Sequence, residues 1–326
     1  MGGEQTALSL RGLRARFQTP EGSLTAVDGV DLEVPAGKIV GLVGESGCGK
    51  SVTALSILGL LPPPGEITGG GVYFQGQDLR TLSPEALRRL RGDRISMIFQ
   101  DPMSALNPVL PVGEQAAEGL RLHRGLSRRE AKERTIELFR AVGIPDPAGR
   151  WKAYPRELSG GLCQRVMIAM AMACQPAVLL ADEPTTALDV TIQDQILRLM
   201  ARLCREAGTA ILLITHNMGV VAQLCDYVYV MYAGEIVEQA ETFALFDHPR
   251  HPYTQGLLRA IPSWEGTGET LYAIPGGVPD LRKLPPGCRF CGRCDRETPV
   301  CRERHPALET VGPEHKTRCL VEGGRR

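Results

Sequence analysis

The stretch Gly44-Glu45-Ser46-Gly47-Cys48-Gly49-Lys50-Ser51 constrains this chain more than any other. An apolar, strand-like run (Lys38-Ile39-Val40-Gly41-Leu42-Val43) precedes it, and a helix-like segment from Val52 to Leu60 follows. Strand, glycine-rich loop and helix in that order make the G-x-x-x-x-G-K-[ST] pattern a phosphate-binding loop rather than a bare turn. Its glycines let backbone N–H groups close around phosphate oxygens, and the helix start adds partial positive charge. Lys50 can then reach β- and γ-phosphates, and Ser51 can ligate Mg²⁺.

From this loop onward helix-like and strand-like segments alternate, which predicts an α/β fold with a parallel sheet and crossover helices. Strands are expected over Ile95–Phe99, Val178–Ala181, Ala210–Thr215 and Tyr227–Met231. Before the loop, residues 8–43 read as short strands, with turns at Thr19-Pro20-Glu21-Gly22, Asp28-Gly29 and Pro35-Ala36-Gly37. A mostly helical block, with helices over Gly113–His123 and Ser127–Val142, reads as an insertion spanning about residues 101–174. After about residue 240 the composition shifts to Pro, Gly, Arg and Cys, placing a boundary between 1–240 and a small appended domain, 241–326. The 37 basic and 37 acidic residues balance, which argues against a dedicated nucleic-acid binder. No apolar run approaches the roughly 18 residues of a spanning helix. The start, MGGEQTALSL, lacks the pattern of a signal peptide. An intracellular chain, soluble by itself, is the expectation.

Two further elements narrow the chemistry. Val178-Leu179-Leu180-Ala181-Asp182-Glu183 is an apolar strand ending in two carboxylates. At the C-terminal end of a parallel strand, Asp182 can hold Mg²⁺ and Glu183 can polarise an attacking water. Leu158-Ser159-Gly160-Gly161 precedes an apolar helix, Leu162 to Cys174. Ser159 is a natural N-cap there, and the glycines allow an anion close approach. An ordinary helix cap would look the same. Two phosphate-type helix starts in one chain exceed what a plain phosphate-loop enzyme needs.

Taken together, these residues resemble the nucleotide-binding subunit of ATP-binding cassette (ABC) transporters over roughly residues 8 to 240. Leu158–Gly161 resembles that family's signature, Gln100 its Q-loop, Thr186-Ala187-Leu188-Asp189 its D-loop, and His216 its switch histidine. Phe17 resembles the aromatic residue that stacks on adenine, although a lone Phe also suits a core. The resemblance implies a P-loop NTPase cassette with a RecA-like parallel core, an antiparallel β subdomain and a helical subdomain. It also implies ATP in the Gly44–Ser51 loop, Mg²⁺ on Ser51, Gln100 and Asp182, and catalysis by Glu183, His216 and Gln100. Two cassettes would pack head to tail, so that Ser159, Gly160 and Gly161 serve the partner's nucleotide, with Asp189 counted among the nucleotide-binding residues. One departure is visible: Leu162 stands where Gln is common, and Cys163 where a basic residue is frequent.

Phe99–Pro108, His251–Leu258 and the tail resemble the branch of dipeptide and oligopeptide importers. That implies two transmembrane permease subunits, a second homologous ATPase, an extracytoplasmic substrate-binding protein and a place on the cytoplasmic face of the cell membrane. A permease helix would dock around Gln100 to Ser104. Nickel importers share the branch and are the main alternative. A soluble cassette of DNA repair or translation is less fitting, because neither a coiled-coil insertion nor a second cassette is present. A cassette that only senses ATP is less fitting too, because Lys50, Asp182, Glu183 and His216 are intact. Of ten cysteines, Cys48, Cys163, Cys174, Cys204 and Cys225 are scattered, while Cys288, Cys291, Cys294, Cys301 and Cys319 cluster in the tail. The close repeat of the first three tail cysteines suits iron–sulfur more than a zinc ribbon, with zinc and free thiols still open. By resemblance, Cys288, Cys294, Cys301 and Cys319 would hold a [4Fe–4S] cluster, leaving Cys291 spare.

Overall fold

Runs of Val, Ile and Leu bounded by glycine turns become strands, and the spread of polar residues along them sets how deeply each is buried. The computed structural model describes residues 5–185, 189–261 and 272–323. They gather into two compact units, one of residues 5–34, 39–80, 214–261 and 272–323, the other of residues 35–38, 81–185 and 189–213.

The first unit opens with β1 (Thr6–Thr19), β2 (Gly22–Pro35), β3 (Ile39–Val43), α1 (Lys50–Leu58), β4 (Gly65–Phe74) and β5 (Gln77–Asp78). The second holds α2 (Pro84–Leu90), β6 (Ile95–Ile98), α3 (Pro102–Ala105), α4 (Val112–Arg124), α5 (Arg128–Ala141) and α6 (Pro147–Arg150). It continues through α7 (Gly160–Met172), β7 (Val178–Asp182), α8 (Val190–Ala207) and β8 (Ala210–Thr215), within which the chain returns to the first unit. There follow α9 (Met218–Leu224), β9 (Tyr227–Tyr232), β10 (Glu235–Glu241), α10 (Thr242–Asp247) and α11 (Pro252–Arg259). The tail adds α12 (Pro299–Glu303), β11 (Glu309–Gly312), β12 (His315–Thr317) and α13 (Leu320–Gly323).

In the first unit β2, β1, β4 and β5 form one sheet, with β1 antiparallel to β4 from Leu8↔Phe74 to Phe17↔Gly65. Asp28-Gly29, expected as a chain reversal, instead lies inside β2, where Gly29 takes a φ of 67°. A single left-handed residue bends the strand without ending it. A second sheet pairs the wholly buried β3 with β9 in parallel (Val40↔Tyr227), then runs on through β10 and β12 to β11. The second unit pairs β6 with β7 in parallel, Ile95 opposite Val178, with β8 beyond β7. Its helices pack around Ala117, Leu120, Ala131, Trp151 and Ala173. Among the described residues no helix is long and apolar enough to cross a membrane.

Candidate active site

The wholly apolar β3 delivers the glycine-rich loop, and α1 begins inside the motif, at Lys50 rather than at Val52. Three glycines are forced by geometry. Gly44, Gly47 and Gly49 have φ of 155°, 79° and 110°, values that side chains rarely adopt. A Cβ on Gly44 would stand 2.1 Å from Met231 O, and one on Gly49 2.3 Å from Ala26 O, whereas Gly47 faces open space. The loop is therefore walled on one side and open on the other, the shape a phosphate cradle requires. Ser46 and Gly47 are exposed, Ser51 is half-buried and Cys48 is buried. Burial pushes the Cys48 thiol above its ordinary range despite the nearby Lys50. Lys50 itself is only 5% exposed, and its Nζ donates to the carbonyls of Gly44 (2.7 Å) and Glu45 (2.8 Å).

The walls come from far along the chain. Gly234 N–H donates to Cys48 O at 2.9 Å. Glu45 N–H donates to Tyr253 Oη at 2.7 Å. The Glu45 carboxylate takes a two-pronged ion pair from Arg293, at 2.7 and 3.0 Å. Tyr232, Tyr253 and Phe290 form an aromatic cluster beneath these contacts, with centroids 4.6 to 5.5 Å apart. Nothing in the sequence pointed to Tyr253 or Arg293 as neighbours of the loop, because their link to it is purely tertiary. Phe17, on β1, is half-buried, and its ring covers Gly65, where a Cβ would meet Cε1 at 2.5 Å. His216, also in this unit, is exposed just beyond β8.

In the second unit β7 ends on Asp182, 4% exposed, and Glu183 follows, half-buried, with a φ of 45°. A non-glycine residue in the left-handed region marks stored strain of about 1–3 kcal/mol, and it turns Glu183 out of the strand's alternation. Gln100 Nε2 donates to Glu183 Oε2 at 3.2 Å, so two expected catalytic residues do meet. Ser51, Gln100 and Asp182 offer hard oxygen donors, the chemistry Mg²⁺ takes. Ser159 caps α7, accepting from Leu162 N–H at 3.4 Å; Ser159 and Gly160 are exposed, and Gly161 is half-buried. Cys163, the departure from the signature pattern, is fully buried, with its Sγ 3.5 Å from Pro155 O. It fills core space and has no access to a ligand at the helix start. Asp189 is exposed at the N-terminus of α8, while Thr186, Ala187 and Leu188 lie outside the described residues.

The tail thiols are neighbours: Cys301 and Cys319 both act electrostatically on Cys288 and on Cys294. The expectation of a ready-made metal site is nevertheless not met, since among the described residues no group of three or more His, Cys, Asp or Glu is placed to hold a metal ion. Burial disfavours the thiolate and pushes Cys288 up to about 12. Cys301, buried, has its Sγ 3.2 Å from Thr298 Oγ1, within hydrogen-bond reach.

Comparison with known proteins agrees with this architecture. A sequence model described as ABC transporter matches residues 27–186, and one for the oligopeptide/dipeptide transporter C-terminal region matches residues 237–301. The oligopeptide transport ATP-binding protein OppD of Salmonella typhimurium is 48% identical over 313 residues, spanning 96% of this chain and 93% of its own. The dipeptide transport ATP-binding protein DppD of Bacillus subtilis is 46% identical over 322 residues, spanning 98% and 96%. Among solved structures, a dimeric ATP-binding cassette in a post-hydrolysis state bound to ADP and Pi superposes with a TM-score of 0.65 at 29% identity. It covers 72% of this chain and 98% of its own.

Proposed function

The chain belongs to the ATP-binding subunits of ABC transporters, in the branch of the dipeptide and oligopeptide transport ATP-binding proteins, and from that premise we propose that it hydrolyses ATP to drive peptide import through partner permeases. The observation that carries the hydrolytic role is the carboxylate pair ending β7. Asp182 is buried and suited to a metal, while Glu183 is half-buried, turned aside and met by Gln100. Different surroundings fit two acids for different tasks. Glu183 would polarise water, with Gln100 and His216 orienting it and the γ-phosphate. Ser51, Gln100 and Asp182 would hold Mg²⁺, which offsets phosphate charge. Phe17 would stack on the base, and the Gly44–Ser51 backbone with Lys50 would hold the phosphates.

Ser159 and Gly160 are exposed at the start of α7, which supports a head-to-tail pair in which Ser159, Gly160 and Gly161 reach the partner's nucleotide, with Asp189 also at the nucleotide site. The partner would be a second, homologous ATPase. A permease helix would dock against the groove of about 300 Å³ lined by Phe99, Leu106, Gln115 and Met167, near exposed Met103 and Leu110. That docking would hold the chain at the cytoplasmic face of the cell membrane.

Glu183→Gln tests this reading. It should keep ATP affinity, lower hydrolysis by about 10²–10⁴-fold and accumulate as a closed pair seen by gel filtration. Wild-type turnover would remove Glu183 as the base. For the tail, the cysteine spacing and the family resemblance support a [4Fe–4S] cluster on Cys288, Cys294, Cys301 and Cys319, with zinc the alternative. Iron and zinc content of anaerobically purified protein distinguishes the two.

A further inference from the structure

Arg293 is the most completely bonded arginine near the phosphate loop, yet it lies in the tail, between Cys291 and Cys294. Its side chain is 6% exposed. All five of its N–H groups have acceptors. Nε donates to Pro275 O (2.8 Å), Nη1 to Glu45 Oε2 (2.7 Å) and Tyr232 Oη (3.3 Å), and Nη2 to Glu45 Oε1 (3.0 Å) and Gly276 O (3.4 Å). The guanidinium also lies 5.7 Å from the Tyr232 ring centroid and 5.8 Å from that of Phe290. A fork this constrained leaves its carboxylate partner little freedom.

Glu45 is the partner, and three of its groups are held. Its carboxylate meets Arg293, its N–H donates to Tyr253, and its carbonyl accepts from Lys50 Nζ. The glutamate is a poor choice for a loop that must receive a polyanion, since a bare carboxylate there would repel phosphate. The ion pair removes that repulsion and fixes the backbone to which Lys50 is tied. We propose that Arg293 is a positioning residue of the nucleotide site, acting through Glu45 to neutralise and brace the phosphate loop from the tail. The tail of this chain would thus take part in nucleotide binding itself.

The proposal rests on ATP binding at Gly44–Ser51, and the test separates the two. Fluorescent-ATP affinity is measured on the full chain for wild type, Arg293→Ala, Arg293→Lys and the double variant Arg293→Ala/Glu45→Gln. Arg293→Ala should weaken binding roughly tenfold, the size of a lost charge-assisted contact. The loss should shrink as salt rises, because salt screens the exposed carboxylate. The double variant should regain most of it, since no unpaired carboxylate remains. Arg293→Lys, which keeps charge and packing but not the fork, should show part of the loss and serves if Arg293→Ala does not fold. Wild-type affinity in Arg293→Ala or Arg293→Lys would overturn the proposal, and so would a double variant as weak as the single one. Failure of the wild type itself to bind ATP would instead strike the reading beneath it.

Discussion

The two helix starts, Gly49 before α1 and Ser159 before α7, share small residues and a phosphate-friendly N-terminus, but they are built differently. The first is enclosed within its own unit: Ala26 and Met231 carbonyls crowd the glycines, and Tyr253, Gly234 and Arg293 hold the backbone. The second is bare: Ser159 and Gly160 are exposed, and a Cβ on Gly161 would meet only Ile192 Cγ2 at 3.2 Å. Enclosure lets a site recognise its ligand alone. A bare site would have to borrow its other half, which is what the proposed head-to-tail pair would supply.

Three experiments would break or sharpen that contrast. Gly49→Ala carries the largest effect, because its Cβ would overlap Ala26 O and its φ of 110° is strained for alanine. Strain of about 1–3 kcal/mol should lower ATP affinity of the isolated chain on the order of a hundredfold by fluorescence titration. Ser159→Ala comes next and should act only in the assembled complex. There steady-state ATPase should fall roughly tenfold for one lost phosphate contact, while the isolated chain binds ATP as before. A drop in isolated-chain affinity would erase the distinction between the two starts.

The smallest effect is one of pH. His251 is 1% exposed, and its Nδ1 accepts from Tyr253 N–H at 3.1 Å, capping the helix that carries Tyr253 to the loop. Burial drives its pKa down from 6.5 to about 4, with Glu238 and Glu235 opposing and Arg296 assisting. The folded pKa is the lower one, so the unfolded chain binds more protons between these values. Its contribution is complete above pH 6.5 and is lost as pH falls toward 4, by about 1.4 kcal/mol per pH unit, or roughly 2 °C in Tm for a chain of this length. His251→Asn, which can still cap, should flatten this slope in thermal melts.

Local pattern carried most of the fold into view. β6, β7, β8 and β9 lie within a residue of their expected positions, because short apolar runs rich in Val, Ile and Leu and bounded by turn residues favour buried strands over helices. Ser159 caps its helix for the same local reason. Asp28-Gly29 was misread because a glycine bend and a turn share one signature, and only the pairing of β1 with β2 tells them apart. The walls of the phosphate loop were invisible. Arg293 and Glu45 stand 248 residues apart, and an ion pair between distant residues has no period, spacing or composition to betray it. The turned backbone of Glu183 was hidden as well, since strain belongs to the packed structure and not to the residue type.

The pairing of β12 with β10, Thr317 opposite Glu238, governs how this protein can be dissected. Glu238 is fully enclosed there, holding the N–H groups of Arg250 and His251 and meeting His315 Nε2 at 2.7 Å. A chain trimmed after β10 would shed the tail and also uncover a raw strand, ready to recruit another copy and precipitate. Truncated variants would then report clumping instead of the tail's contribution, which only single side-chain changes can isolate.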